Sequence, residues 1–280
     1  MTENSNPLMP YSRQPEIYVP LPSKGYYTDS NHYELSVNDE LAIYSMTTAD
    51  ELILKTPDAL LNGEAIAKII KSCAPGVSDV YNTPVNDIET ILIAVRLASY
   101  GDQMDFMASC PKCKHQNEFG VDLKYVLRHM DYLNHTYEIT LSNKMKVKVK
   151  PHTYASSVKQ VMQTYTESQL FKMITNEDLT EESKLSEYHK SFVKLADLTV
   201  HLASDSVIQI VSPDGNIINA TSDQVFEWMN NLPRADAEKI LEKVNEINEI
   251  GPKKNMEIEC SKCEHKWETK INFDPSYFFG

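Results

Sequence analysis

Cys110-Pro111-Lys112-Cys113 and Cys260-Ser261-Lys262-Cys263 decide how this 280-residue chain is read, because the second pair repeats the first. Each C-x-x-C is followed two residues on by a histidine, His115 and His265, and then at one shared offset by a glutamate, Glu118 and Glu268. Before the first pair, Phe106, Ala108 and Cys110 alternate with other residues, as Met256, Ile258 and Cys260 do before the second. After the pairs, Phe119, Val121 and Leu123 recur with period two, as do Trp267, Thr269, Ile271 and Phe273. Alternation on both sides of a tight turn predicts a half-buried β-hairpin. The chain therefore carries two similar hairpins with two thiols at each tip.

Tetrahedral zinc takes four ligands at about 2.0–2.3 Å, and one C-x-x-C turn supplies only two. Two tips facing each other complete the set, so Cys110, Cys113, Cys260 and Cys263 are the candidate ligands of one structural Zn2+ per chain. The spacer of roughly 150 residues is far longer than the usual 15–20. It predicts a helical insertion between the two halves of a zinc ribbon. A disulfide within each pair, a redox-active C-x-x-C and unrelated buried cysteines are the competing readings. His115 and His265 are surplus once four thiolates fill the site and are expected at the surface. Cys73 lies on an apolar helix face and reads as a buried thiol.

Composition narrows the class. The hydrophobic fraction is 41%, the charged fraction 24% and the formal net charge −13. No apolar run approaches the roughly 18–20 residues of a membrane span. Met1-Thr2-Glu3-Asn4-Ser5-Asn6 lacks the basic and apolar regions of a signal peptide, so the chain is expected to be made, and at first kept, in the cytoplasm. Five cysteines in such a chain fit metal binding better than a disulfide framework. An acidic chain is a poor phosphate binder. Lys144, Lys146, Lys148 and Lys150 alternate along a predicted strand, and they read as the solvent side of Met145, Val147 and Val149. Nucleic-acid binding is disfavoured and no membrane partner is expected.

The remaining stretches predict an α+β fold, mainly helical with small antiparallel sheets, in which the zinc ribbon is split by a helical insertion. Residues 1–22, with Pro7, Pro10, Pro15, Pro20 and Pro22, read as an extended arm rather than a packed element. Residues 23–101 read as an N-terminal α+β domain, with a turn at Leu21–Gly25 and a strand pair within Glu34–Tyr44. Its first helix opens on a capping box of Thr48 and Glu51. A second helix turns Ile66, Ile69, Ile70 and Cys73 to one face. A third opens at Asn86 with Glu89 and closes at Gly101. Arg96, beside Tyr100, is expected at the surface. Residues 102–150 hold the first ribbon half, a short helix over Leu123–Met130 and the strands Tyr137–Leu141 and Met145–Lys150. Residues 151–252 are the helical insertion, and 253–280 the second ribbon half and an aromatic tail. Within the insertion, two long helices carry Tyr154, Val158, Val161, Met162 and Tyr165, and then Leu185, Tyr188, Phe192, Leu195, Thr199 and Leu202. They are expected to close on each other as a helical hairpin, the alternative being a partner chain. A hairpin around Pro213–Asn216, a helix capped by Thr221 with Gln224, and a last helix bearing Ile240, Leu241, Val244 and Ile247 follow. The tail Tyr277-Phe278-Phe279-Gly280 is too apolar to hang free: it docks on its own ribbon or in a neighbour.

Active-site motifs are absent: there is no phosphate loop, no dinucleotide fingerprint, no H-E-x-x-H and no G-x-S-x-G. A site of four thiolates has no open coordination position for catalysis. The chain is read as non-enzymatic.

Several signatures in order along the chain resemble one family. They are Leu21-Pro22-Ser23-Lys24-Gly25, Met46-Thr47-Thr48-Ala49-Asp50-Glu51, Leu61-Asn62-Gly63 leading to Ile66, the Ile88–Gly101 helix with Arg96, and the Cys110–Cys113 knuckle leading to Val121-Asp122-Leu123. Together they resemble the baseplate hub subunit family of T4-type contractile-tailed bacteriophages, best over the first half of the chain. The resemblance implies a structural role in the virion tail baseplate after assembly in the host cytoplasm. It implies other hub and tail proteins as partners, with the tape measure protein among the candidates. An assembly chaperone absent from the finished particle is the alternative, and a zinc-ribbon nucleic-acid factor or a hydrolase with a dispersed site are more distant ones.

Overall fold

A computed structural model describes residues 13–56, 61–176, 180–271 and 278–279. They form eight helices and ten short strands in four antiparallel sheets, with two hydrophobic cores.

The first core begins where an arm was expected. β1 (Ile17–Pro20) pairs with β2 (Glu40–Ile43), Ile17 opposite Ile43 and Pro20 opposite Glu40. Val19 and Leu21 are buried with Leu41 and Ile43, so residues 13–22 are extended but packed. Proline at the end of an edge strand removes no ladder bond, which is why Pro20 is tolerated here. Arg13 fastens this segment: Nη2 donates to the Ser72 carbonyl at 2.6 Å and to Ser72 Oγ at 2.7 Å. Because β1 occupies one edge of β2, the strand pair expected within Glu34–Tyr44 is reduced to one bridge, Leu35 to Leu41.

α1 (Thr48–Leu54) has its capping box one residue earlier than expected, on Thr47 and Asp50 rather than Thr48 and Glu51. Asp50 is buried and also accepts from Ser72 Oγ at 3.0 Å, so it is the carboxylate held where it can turn back onto the Thr47 N–H. α2 (Glu64–Cys73) buries Ile66, Ile69, Ile70 and Cys73 as its periodicity predicts. Gly63 precedes it at φ 74°, and a Cβ there would lie 2.4 Å from Val158 Cγ2, so both the backbone conformation and a close helix approach require glycine.

α3 (Val85–Tyr100) is the central post, with Ile88, Ile91, Leu92, Ile93, Ala94 and Val95 all buried. Asn86 and Glu89 do not open it. Asn86 Nδ2 donates instead to the carbonyls of Ile247 (2.9 Å) and Ile250 (2.6 Å), and Glu89 pairs with Lys254 at 2.6 Å. The Val85 N–H finds the His152 carbonyl at 2.9 Å, so that donor needs no side-chain cap. Asp87, fully buried, accepts from Ser23 N (2.9 Å), Ser23 Oγ (2.5 Å) and Tyr33 OH (2.6 Å), which ties the Leu21–Gly25 turn to this helix.

β3 (Gln103–Ser109) with β4 (Gln116–Asp122), and later β9 (Asn255–Glu259) with β10 (Lys266–Lys270), are the two expected hairpins. Phe273 lies outside the described residues. α4 (Leu123–Arg128) follows the first hairpin, capped by Asp122.

The second core is built on a sheet ordered β5-β6-β7-β8: β5 (Tyr137–Thr140), β6 (Lys146–Val149), β7 (Val207–Val211) and β8 (Ile217–Ile218). Residues 151–252 are therefore not helical throughout, because β7 and β8 complete a sheet begun before Pro151. β7 supplies backbone partners to β6, whose buried face of Val147 and Val149 a lone hairpin could not cover. α5 (Tyr154–Asn176), α6 (Glu181–Asp205), α7 (Ser222–Asn230) and α8 (Arg234–Asn248) make up the rest. Thr221 and Gln224 form the predicted capping box of α7, and α8 buries Ile240, Val244 and Ile247 against the sheet.

α5 and α6 pack antiparallel: Glu167 meets Ser191, and Phe171 meets Tyr188. The expected apolar stripe closes this hairpin only in part, where Tyr188 and Phe192 meet Phe171. Its interior holds Glu167, 2% exposed, accepting from Ser191 Oγ at 2.5 Å and Gln163 Nε2 at 2.7 Å. Leu185 and Phe192 are still 70% and 64% exposed, and Val161, Met162 and Tyr165 also face outward.

Arg96 is not a solvated surface residue. It donates to the Phe278 carbonyl, and its guanidinium stacks 5.3 Å from the Phe278 ring and 5.5 Å from Tyr100. Phe278 and Phe279 are buried in the first core, so this part of the aromatic tail docks on its own chain, while Tyr277 and Gly280 lie outside the described residues. No helix among the described residues is long and apolar enough to cross a membrane.

Candidate metal centre

Each hairpin tip is built the same way. The Cys110 N–H donates to the His115 carbonyl at 2.9 Å, and the Lys114 N–H returns to the Cys110 carbonyl at 2.9 Å. The second tip repeats both bonds at the same lengths, Cys260 to His265 and Glu264 to Cys260. The residue after the second cysteine takes a positive φ in both, 60° at Lys114 and 56° at Glu264. A tight turn forces that conformation on residues that are not glycine, so the repeat seen in the sequence extends to the backbone.

The two tips face each other. The four Sγ atoms all lie within 4.8 Å of one another, with Cys110 to Cys263 at 3.7 Å and Cys113 to Cys260 at 3.6 Å. Zn–S bonds of about 2.3 Å would set the edge of a sulfur tetrahedron near 3.8 Å, whereas a disulfide needs about 2.05 Å. Cys110 and Cys260 are buried and Cys113 and Cys263 half-buried, so the first cysteine of each pair is the inner one. Neither imidazole joins the cluster: His115 is exposed, and His265 stacks on Trp267.

Without a cation the Cys110 and Cys260 thiols are pulled one way and the Cys263 thiol the other. Burial raises the Cys110 and Cys260 thiols, but backbone N–H groups of Lys112, Cys113, Lys262 and Cys263 outweigh it and bring both down, Cys260 to about 6. At Cys263 the His265 N–H also pulls down, yet burial and the three neighbouring sulfurs prevail and push it up to about 12. A divalent cation eases that conflict by drawing the thiolates to one shared positive charge, which favours their ionised form. The donor set is four sulfurs at tetrahedral spacing with no open position, which fits a thiophilic, four-coordinate metal ion in a structural role.

One supporting residue was not read from the sequence. Asn117, buried on β4, joins the tips: its Oδ1 accepts from Ser261 N and Ser261 Oγ, both at 2.9 Å, and its Nδ2 donates to the His115 carbonyl at 3.0 Å and to Cys260 Sγ at 3.7 Å. The signal was present. The inward alternation of Val121 and Phe119 extends back to Asn117, and a polar residue on an inward face requires partners. The corresponding position after the second pair is Trp267, whose ring meets Phe119 edge-on at 6.1 Å.

The family model of the T4 bacteriophage base plate protein matches residues 28–280, a span that includes both cysteine tips and everything between them. The chain belongs to that family. Searches of the curated proteins and of the solved structures gave no match. As a T4-type phage baseplate protein it is part of the virion tail, and its contacts are with other tail and baseplate proteins. The match begins after Leu21–Gly25, so that turn contributes to the resemblance but not to the matched span.

Proposed function

We propose that this baseplate protein is a structural, non-enzymatic subunit of the baseplate hub, and that Cys110, Cys113, Cys260 and Cys263 hold one zinc ion that fastens its two ribbon halves. The observation that carries the reading is the family match across residues 28–280 together with a closed four-sulfur site inside that span. The hub assignment adds the resemblance of the Leu21–Gly25 turn and the Ile88–Gly101 helix to hub subunits. Zinc is favoured among metals by four thiolates at tetrahedral spacing.

The non-enzymatic reading draws support from the residues that most suggest chemistry. Ser23, Asp87, Tyr33 and His32 lie together, but Ser23, Asp87 and His32 are buried. Asp87 takes three hydrogen bonds from Ser23 and Tyr33, and His32 pairs with Thr83 Oγ1 at 2.9 Å. They hold a turn onto a helix and present no nucleophile to solvent. Neighbouring hub and tail subunits, the tape measure protein among them, are the partners this reading expects, and the outward Leu185 and Phe192 on the α5–α6 hairpin offer them apolar surface.

Quantitative mass spectrometry of purified tails, paired with elemental analysis of the isolated chain, tests both halves of the proposal. A stoichiometric copy number in the particle and about one zinc per chain support it. Presence before tail completion but absence from finished tails identifies an assembly chaperone instead. Intact thiols without metal remove the zinc reading.

A further inference from the structure

The sheet β5-β6-β7-β8 leaves one lane unfilled. β8 pairs with β7 only at Ile218 opposite Ile210 and Ile217 opposite Val211, after which Asn219–Thr221 diverge toward α7. Beside Val207–Gln209 the divergence opens a groove of about 400 Å3, lined by β7, by Ile217–Thr221 and by Gln224 and Val225 of α7. β7 is bulged here: Val149 faces Val207 and Lys148 faces Gln209, so Ile208 has no partner on β6. Ile208 is 51% exposed and Ile217 60%. Natural sheets protect an edge with charge or proline. Asn216-Ile217-Ile218-Asn219-Ala220 carries neither.

The outward face next to this lane is cationic although the whole chain has a net charge of −13. The registers put Thr140, Lys146, Val211 and Ile217 in one outward row, and Glu138, Lys148 and Gln209 in the next, where the fourth place is vacant. Lys146 is paired with Glu138 at 2.8 Å, whereas Lys144, Lys148 and Lys150 have no carboxylate partner among the described residues. Strands lie about 4.8 Å apart, so an acidic side chain on a segment beside β7 is two lanes from Lys148, within joint reach of two long side chains.

We propose that this groove accepts an extended segment of another tail protein, which adds as a strand beside β7 with apolar residues turned inward and carboxylates turned toward the lysine rows. Backbone pairing to an open edge supplies affinity and alternate side chains supply selection, the mode of strand addition. A second copy of this chain is the weaker occupant: two residues of β8 offer far less than the roughly 800 Å2 per partner of a stable dimer. The inference rests on membership of the baseplate family and not on the hub assignment.

The test places the photo-crosslinking residue p-benzoylphenylalanine at Ile208 or Ile217 of the full chain in infected cells during tail assembly, with Glu242 on the exposed side of α8 as control. Asn219 takes the probe if an isoleucine variant melts early. Crosslinks from both groove positions to one segment of a different tail protein are expected, with carboxylates between alternate apolar residues. The pair Lys148→Gln and Lys150→Gln, which leaves the Lys146–Glu138 ion pair intact, should cut the yield about tenfold with little change in melting temperature. Crosslinking to a second copy, to a segment without that pattern, or no more than from Glu242 overturns the proposal, as does a yield unmoved by the lysine substitutions. Because the cells are sampled before tails are complete, absence of the chain from finished particles would refute the hub reading without touching this one.

Discussion

Asn117→Ala tests the metal centre most sharply, because it leaves every candidate ligand in place. The substitution removes Nδ2 donations to the His115 carbonyl and Cys260 Sγ, and the Oδ1 acceptor of Ser261 N and Oγ. The Ser261 hydroxyl is at the surface and can turn to water, so its loss costs little. The other three are worth about 1 kcal/mol each, which totals about 3 kcal/mol, or about 100-fold in an equilibrium constant. The His115 and Ser261 links also exist without metal, so part of this loss falls on folding. The expected result is zinc binding about 10–100-fold weaker and a melting temperature lower by several degrees. Chelator competition at fixed pH measures the first and a thermal melt the second. Asn117→Asp should bind metal more weakly still, since it replaces a donor 3.7 Å from Cys260 Sγ with a negative charge. Metal affinity within about threefold of the parent in both variants, with only the melting temperature reduced, would refute the reasoning: Asn117 would then staple the hairpins without acting on the sulfurs.

Three further outcomes follow from separate parts of the molecule. Cys260→Ser should lower metal content well below one ion per chain by elemental analysis, and chelator should then no longer depress the melting temperature as it does for the parent. Phe278→Ala removes a buried ring stacked under Arg96 and should cost about 3–5 kcal/mol in denaturant unfolding. His32 and His152 are both held below the ordinary 6.5 by burial, with Asp79 and Asp29 recovering part of the shift at the first and Asp205 at the second. The unfolded chain therefore takes up protons first on acidification, so their contribution is full above pH 6.5 and is lost as pH falls from there through the folded-state values. Unfolding of chelated protein at about pH 7.5 and about pH 5.5 checks this, and His152→Gln should flatten part of the slope.

The ribbon was legible because both halves wrote the same local pattern. Alternating residues around each C-x-x-C fix the hairpins, and thiols at both tips have a shared reason to meet. The faces of α2 and α8, and the Thr221–Gln224 cap, were legible for the same local reason. What escaped were choices made by distant partners. Asp50 rather than Glu51 completes the first capping box because Ser72 holds it. Asn86 sits in the first turn without capping it, because Ile247 and Ile250 present carbonyls to its side chain. β1 forms from a proline-rich stretch because β2 offers a free edge, and β7 joins β6 across the helices between them. Leu185, at the outward end of the α6 stripe, shows the opposite limit, since periodicity identifies an apolar face without saying what covers it. Asn117 lay between these cases, marked by its place in the alternation but unreadable without Ser261.

The two cysteine tips sit 147 positions apart, and Arg96 reaches a carbonyl 182 positions further on. At ribosomal speeds of about 5–20 residues per second, the first thiol pair waits roughly 7–30 s for the second. Throughout that interval the nascent chain exposes a half-built chelate and a post with no aromatic wedge beneath its arginine. Translation that stalls within the insertion thus yields a product without Cys260 and Cys263, so with the proposed zinc site ion capture would report that synthesis has passed Cys263.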